Sequence, residues 1–165
     1  MPEICDLAAP ARGPTLCHRG TTGRSLSAVH GTVCAVDMKL ELVPIPVADV
    51  DRAKAFYGEA LGCTVDVDVQ PVEGVRVVQV TPPGSACSIG FGTGLPVYAA
   101  PPGSVRGLHL VVADIEAARA ELVGRGVDVG PVADVGGGVL YAGFEDPDGN
   151  SLTLQQMPWR TGDAF

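Results

Sequence analysis

The stretch Val47-Ala48-Asp49-Val50-Asp51-Arg52-Ala53-Lys54-Ala55 returns 65 residues later as Val112-Ala113-Asp114-Ile115-Glu116-Ala117-Ala118-Arg119-Ala120. The same offset lays Pro82-Pro83-Gly84-Ser85 on Pro147-Asp148-Gly149-Asn150, and Ser88-Ile89 on Thr153-Leu154. Separate matches at one offset point to two copies of one module. The copies span residues 39–92 and 106–156. A Pro- and Gly-rich linker, 93–105, joins them, and a tail, 157–165, follows.

Both copies carry the same series of patterns. An apolar strand, 40–47 or 108–112, precedes a helix whose N-cap candidate is Asp49 or Asp114. Val50, Ala53, Phe56, Tyr57 and Ala60 give the first helix one apolar face; Ile115, Ala118, Leu122 and Val123 give the second its own. Gly62 and Gly126 stand just past the helix ends, where a left-handed residue is favoured. Three shorter strands follow in each copy: 64–69, 75–81 and 87–91, then 127–129, 139–145 and 151–155. The order strand-helix-strand-strand-strand, twice over, predicts an α+β fold of paired βαβββ modules forming a half-barrel groove. One helix covers one face of a four-stranded sheet. The other face requires the second module, from the same chain or a second one.

Composition agrees with a folded core. The chain has 165 residues, 46% hydrophobic and 18% charged, which excludes disorder of the whole. Val occurs 24 times and Gly 22 times, favouring strands and tight turns. Eleven Lys and Arg against 19 Asp and Glu give a net charge of −8. That charge repels nucleic-acid phosphates and anionic membranes, so neither is an expected partner. No apolar run is long enough for a membrane-spanning helix. Residues 1–37 lack any strand or helix period and read as a disordered or loosely attached extension before a domain over 38–165; a translation start at Met38 is the alternative. No secretory pattern opens the chain, and its five Cys form no CxxC pair. A cytoplasmic location with reduced thiols is expected.

Strand alternation sorts the side chains by face. Val43, Ile45 and Val47, or Leu108, Leu110 and Val112, suit packing under the helix. Leu42, Pro44 and Pro46, or Gly107, His109 and Val111, face the groove. From the last strands, Ser88 and Gly90, or Ser151, Thr153 and Gln155, join them. Tyr141, on a short strand before the closing turn, is a further candidate for the wall.

The segment 46–57, with Leu61-Gly62 after it, and the turn Phe144-Glu145-Asp146-Pro147-Asp148-Gly149-Asn150 resemble the first strand and helix and the closing turn of the vicinal oxygen chelate superfamily. That superfamily comprises glyoxalases, bleomycin-resistance proteins and extradiol dioxygenases. The resemblance covers residues 38–156. It implies the paired βαβββ fold and, in metal-dependent members, ion ligands at four positions held here by Leu42, Ser88, Gly107 and Thr153. Leu and Gly offer no donor atom, and hydroxyls replace a carboxylate poorly. His109 is the one core histidine, whereas zinc or non-haem iron sites take about three protein ligands. No protein-bound metal and no cofactor are therefore expected.

The reading that follows is a homodimer binding a small organic molecule, aromatic or polyketide-like, in a sequestration or resistance role. Leu42, Pro44, His109, Tyr141, Thr153 and Gln155 would line the site. His109 is the candidate catalytic residue of the alternative: a glyoxalase- or dioxygenase-type enzyme using His109 as base or a substrate-supplied metal. Strand pairing places no acid beside His109, so no catalytic triad is expected. Tyr57 reads as core, Trp159 as packed on the barrel, Gly136-Gly137-Gly138 as a loop near the groove mouth, and Glu145, Asp146 and Asp148 as a solvated acidic turn.

Overall fold

The computed structural model describes residues 36–160. Expectations for the extension up to residue 35 and for residues 161–165 lie outside that range. The described chain from Met38 onward belongs to one compact unit.

Strand β1 (Leu42–Pro44) leads to helix α1 (Val50–Ala55), which runs on as a π-helical turn over Phe56–Ala60. Strands β2 (Thr64–Val72), β3 (Val75–Thr81) and β4 (Ser88–Thr93) complete the first module. The second has β5 (Leu108–Val111), α2 (Ile115–Gly124), β6 (Ala133–Gly136), β7 (Val139–Glu145) and β8 (Ser151–Gln156). The two four-stranded sheets share one plan, β1-β4-β3-β2 and β5-β8-β7-β6. In each, the first strand lies parallel to the last and the rest are antiparallel.

Local chemistry sets the helix limits as expected. The Asp49 carboxylate accepts from the backbone N–H of Asp51 and Arg52, both at 3.0 Å, and Asp114 accepts from Ala117 at 3.0 Å. Each cap contributes about 1 kcal/mol. Gly62 and Gly126 take left-handed φ values of 75° and 87°.

The core follows strand parity. Val78, Val80, Ile89 and Phe91 are buried beneath α1, and Ala142, Phe144, Leu152 and Leu154 beneath α2. Tyr57 is fully buried and stacks on Phe91 at 5.6 Å. Each such aliphatic or aromatic burial contributes roughly 1.5–3 kcal/mol.

The two modules do not keep one sequence offset. Val43 pairs with Ile89 and Leu108 with Leu152, so the offset is 65 between β1 and β5 but 63 between β4 and β8. Residues 62 and 126, which end the helices, are 64 apart. One step is thus lost along α1, where an extra residue is absorbed as the π-helical turn. The other is lost at the turn before the last strand, six residues in module one and five in module two. Ser88 therefore matches Ser151, and Thr153 matches Gly90, which corrects the alignment of Ser88 with Thr153. A shift of two residues leaves every side chain on its expected face.

Five further expectations change. Residues 127–129 form no strand: Val127 and Val129 are buried in a tight turn in which the Val129 N–H bonds the Val127 carbonyl at 3.1 Å, and β6 pairs with β7 four residues beyond them. Val123 is exposed rather than on the apolar face of α2, and Trp159 is 63% exposed rather than packed. Gly136-Gly137-Gly138 forms the tight turn of the β6–β7 hairpin, with φ of 66° at Gly137 and 77° at Gly138.

The fifth concerns the acidic turn, in which Asp146 and Asn150 are buried. The Asp146 carboxylate accepts from the Tyr57 hydroxyl at 2.9 Å, from the Asn150 side chain at 2.8 Å and from the backbone N–H of Asp148 and Asn150. Asn150, fully buried, donates to the carbonyl of Pro46 at 3.0 Å and accepts from the Val105 N–H at 3.0 Å. Asp148 pairs with Arg52 and accepts from the Ala48 N–H. The turn thus fastens module two to the β1–α1 junction of module one, and only Glu145 of its acids is exposed. Burial together with the facing Asp146 pushes the Tyr57 phenol well above its usual pKa, so it stays a donor.

Candidate functional site

Each sheet has a helix-free face. On module two this face gathers His109, Tyr141, Thr153 and Gln155. Register explains why: Thr153 pairs with His109 on one side and Gly143 on the other, while Gln155 pairs with Val111 and Tyr141. The His109 Nδ1 lies 2.9 Å from Gln155 Oε1, and the Gln155 amide nitrogen 3.4 Å from the Tyr141 hydroxyl. The imidazole meets the Tyr141 ring edge-on at 5.1 Å and 80°. With the amide oxygen toward it, Nδ1 carries the proton and Nε2 is left as an acceptor. Nε2 lies beside Gly107, where an added Cβ would stand 3.8 Å from it. His109 itself is exposed.

Leu42 and Pro44 lie on the other sheet, in register with Ser88 and Gly90. Their face is occupied by a residue that sequence reasoning missed. Tyr98, on a short 3-10 turn in the linker (Pro96–Tyr98), is 8% exposed and lies over Gly90 and Gly92. A Cβ on Gly90 would stand 2.9 Å from a Leu42 methyl and 3.2 Å from the Tyr98 hydroxyl; one on Gly92 would stand 3.0 Å from the Tyr98 ring. Glycine at alternate positions of one strand was the available signal, since it marks a close approach to that face. Burial raises the Tyr98 phenol pKa. Module one thus has a face filled by its own linker, and module two a face bearing polar side chains.

The four positions where the resemblance implies ion ligands do not fit a metal. Leu42 is aliphatic and Gly107 has no side chain. Ser88, 5% exposed, accepts from the Gln79 amide at 2.9 Å and shares a 2.7 Å hydrogen bond with the Thr81 hydroxyl. Thr81 in turn contacts the Asp66 carboxylate, so the chain of protons runs from Gln79 to Asp66 and is complete. Gly107 donates its N–H to Ser151 at 2.8 Å, leaving Thr153 beside His109. Among the described residues no three His, Cys, Asp or Glu side chains converge. A hydroxyl, an aliphatic group and a bare backbone supply neither the charge nor the geometry a divalent ion requires.

The arrangement can recognise an organic molecule. It offers an aromatic edge, an imidazole acceptor, a hydroxyl and an amide on one exposed sheet face. Among the described residues no carboxylate hydrogen-bonds His109, whose ring partner is the Gln155 amide. Nor is any helix among the described residues long and apolar enough to cross a membrane.

Known proteins agree with this fold. The antibiotic-binding protein TnmS3 from Streptomyces sp. CB03234 is 36% identical, with 74% of this chain and 98% of that one covered at a TM-score of 0.65. A glyoxalase/bleomycin resistance protein from the same Streptomyces strain is 38% identical over 72% of this chain and 100% of that one, at 0.61. A superfamily member from Sphaerobacter thermophilus DSM 20745 is 31% identical over 73% and 98%, at 0.64. No protein of curated function matches the chain. Residues 39–154 match the family described as Glyoxalase/Bleomycin resistance protein/Dioxygenase superfamily, so with two βαβββ modules and these relatives the chain belongs to that superfamily.

Proposed function

We propose that the chain binds a small organic molecule against the open face of module two, without a metal ion of its own, in a sequestration or resistance role. The observation that carries this reading is the joined set His109, Gln155 and Tyr141, bonded to one another rather than to any acid. An amide rather than a carboxylate holds the imidazole in place, an arrangement that suits recognition over proton abstraction. TnmS3 is named as an antibiotic-binding protein, and its 36% identity supports an antibiotic-like, aromatic or polyketide ligand. A homodimer is part of the reading. A cytoplasmic location accords with the acidic surface and the unpaired Cys63 and Cys87.

A thermal-shift panel of aromatic polyketide antibiotics, catechols and thiol adducts tests it. At least one compound raises the melting temperature of the wild type, and His109→Ala removes that rise. A panel with no rise, or a rise that His109→Ala leaves intact, overturns the proposal.

A further inference from the structure

The two junctions between the modules are built differently. At one, the closing turn of module two seals the β1–α1 corner: Asn150 takes the Pro46 carbonyl, Asp148 takes the Ala48 N–H and Arg52, and Asp146 takes the Tyr57 hydroxyl. At the other, the residues at the same offset of 65 are Val111, Ala113, Ala117 and Leu122, and the facing turn is 82–87. None of these side chains makes a matching bond. In place of the seal is a cleft of about 830 Å³, between residues 82–86 and 61–63 on one side and His109, Leu110, Val112, Ala118, Leu122 and Leu154 on the other.

The strand edge in that cleft is unpaired. β5 is the outermost strand of its sheet, and the Val112 N–H bonds the Gln155 carbonyl, so alternate peptides at His109 and Val111 turn away from β8. On β1 the same outward positions are Pro44 and Pro46, which have no N–H, and the Pro46 carbonyl is taken. The β5 edge therefore offers two N–H donors and their carbonyls to the cleft. At its rim stand Arg160 and the ion pair of Arg125 with Glu121, so the rim keeps one uncompensated positive charge in a chain of net charge −8. Gly62 makes room for Arg125, since a Cβ there would stand 2.7 Å from its guanidinium.

We propose that this cleft is a second ligand site, adjoining the open face of module two at His109, and takes an apolar organic anion. Its acid group meets Arg125 and Arg160, and its hydrocarbon body lies on Leu110, Leu122 and Leu154. The volume lies within the range of small-molecule pockets, about 300–1,000 Å³. Charge complementarity favours an anion over a neutral molecule or a strand of another chain, because the cleft pairs an apolar wall with a cationic rim in an otherwise acidic protein.

Fluorescence titration of the full chain with 8-anilinonaphthalene-1-sulfonate tests this. One-to-one saturable binding is expected. Arg125→Gln weakens it about ten-fold, the loss of one charge-assisted contact. Ala86→Trp, on an exposed turn at the cleft, abolishes it, and Ser85→Trp serves if that variant misfolds. Tyr141→Ala, on the other face of the sheet, leaves this affinity unchanged, which separates the site from the proposed ligand face. Neutral N-phenyl-1-naphthylamine binds about ten-fold more weakly than the sulfonate. Binding that ignores the tryptophan variants, that Tyr141→Ala removes, that fails to saturate at one equivalent, or that falls as a second copy associates overturns the proposal.

Discussion

The hydroxyl of Tyr57, on the π-helical turn after α1, donates to the carboxylate of Asp146 in the closing turn of module two at 2.9 Å. One buried bond thus joins the end of the first helix to the loop before the last strand. Asp146 keeps three other donors when Tyr57 is cut back, so Tyr57→Phe should cost about 1 kcal/mol in urea denaturation. Asn150→Ala leaves the Pro46 carbonyl and the Val105 N–H without their partner and should cost about 2–4 kcal/mol. Equal losses for the two variants would show that the turn is not a shared lock.

Alkaline stability should fall through a defined window. Burial pushes the Cys63 thiol up to about 11 from an ordinary value near 9, and Tyr57 is raised further. A group with a raised folded pKa stabilises fully below its unfolded pKa and loses that contribution as pH rises toward the folded value. Stability measured by denaturation is therefore constant up to about pH 9 and declines from there to about 11. Cys63→Ala makes the early part of the decline shallower. A stability that rises over this range would contradict the burial of both groups.

Glycine positions divide sharply by site. A Cβ on Gly92 collides with the Arg76 carbonyl as well as approaching the Tyr98 ring, so Gly92→Ala should cost about 3 kcal/mol or more. Nothing lies within 4 Å of a Cβ on Gly143, in the other sheet, and its φ is unremarkable for an L-residue, so Gly143→Ala should fall within about 0.5 kcal/mol of wild type. Paired thermal melts read the contrast, which comparable shifts would erase.

Tyr98 covers module one rather than leaving it open. Tyr98→Ala should expose the Leu42 face and leave Gly90 without its neighbour, at a cost of about 3 kcal/mol for an aromatic truncation. It should leave the His109–Gln155–Tyr141 set in place, which the imidazole proton signals of His109 report in NMR spectra. Displacement of those signals in Tyr98→Ala would mean that the two faces are not independent.

Much of this was legible from particular residues. Asp49, Asp114, Gly62 and Gly126 mark helix ends by side-chain chemistry and permitted φ, both local properties. His109, Tyr141, Thr153 and Gln155 were found because side chains alternate along a strand, so a count of two gives the face. The register was not legible, since two single-residue gains, one hidden in a π-helical turn, shift pairing without altering parity. Asp146 and Asp148 were misread because an Asp-Pro-Asp-Gly-Asn string looks like a solvated turn whether or not another module folds onto it. Tyr98 was missed because a linker rich in Pro and Gly shows no period, and only the Gly90–Gly92 pair opposite it gives notice. Strand β6 was displaced because Val127 and Val129 have a buried strand's pattern without a neighbouring strand to bond.

The most direct test of the ligand face is calorimetric titration of the EDTA-treated chain with the compound giving the largest thermal shift, repeated on Gln155→Leu. Undiminished binding by the chelated wild type, with affinity lowered about ten-fold or more in the variant, is the result expected from losing the amide that holds His109. Binding that appears only when a divalent ion is added back, or that Gln155→Leu leaves unchanged, would contradict the account.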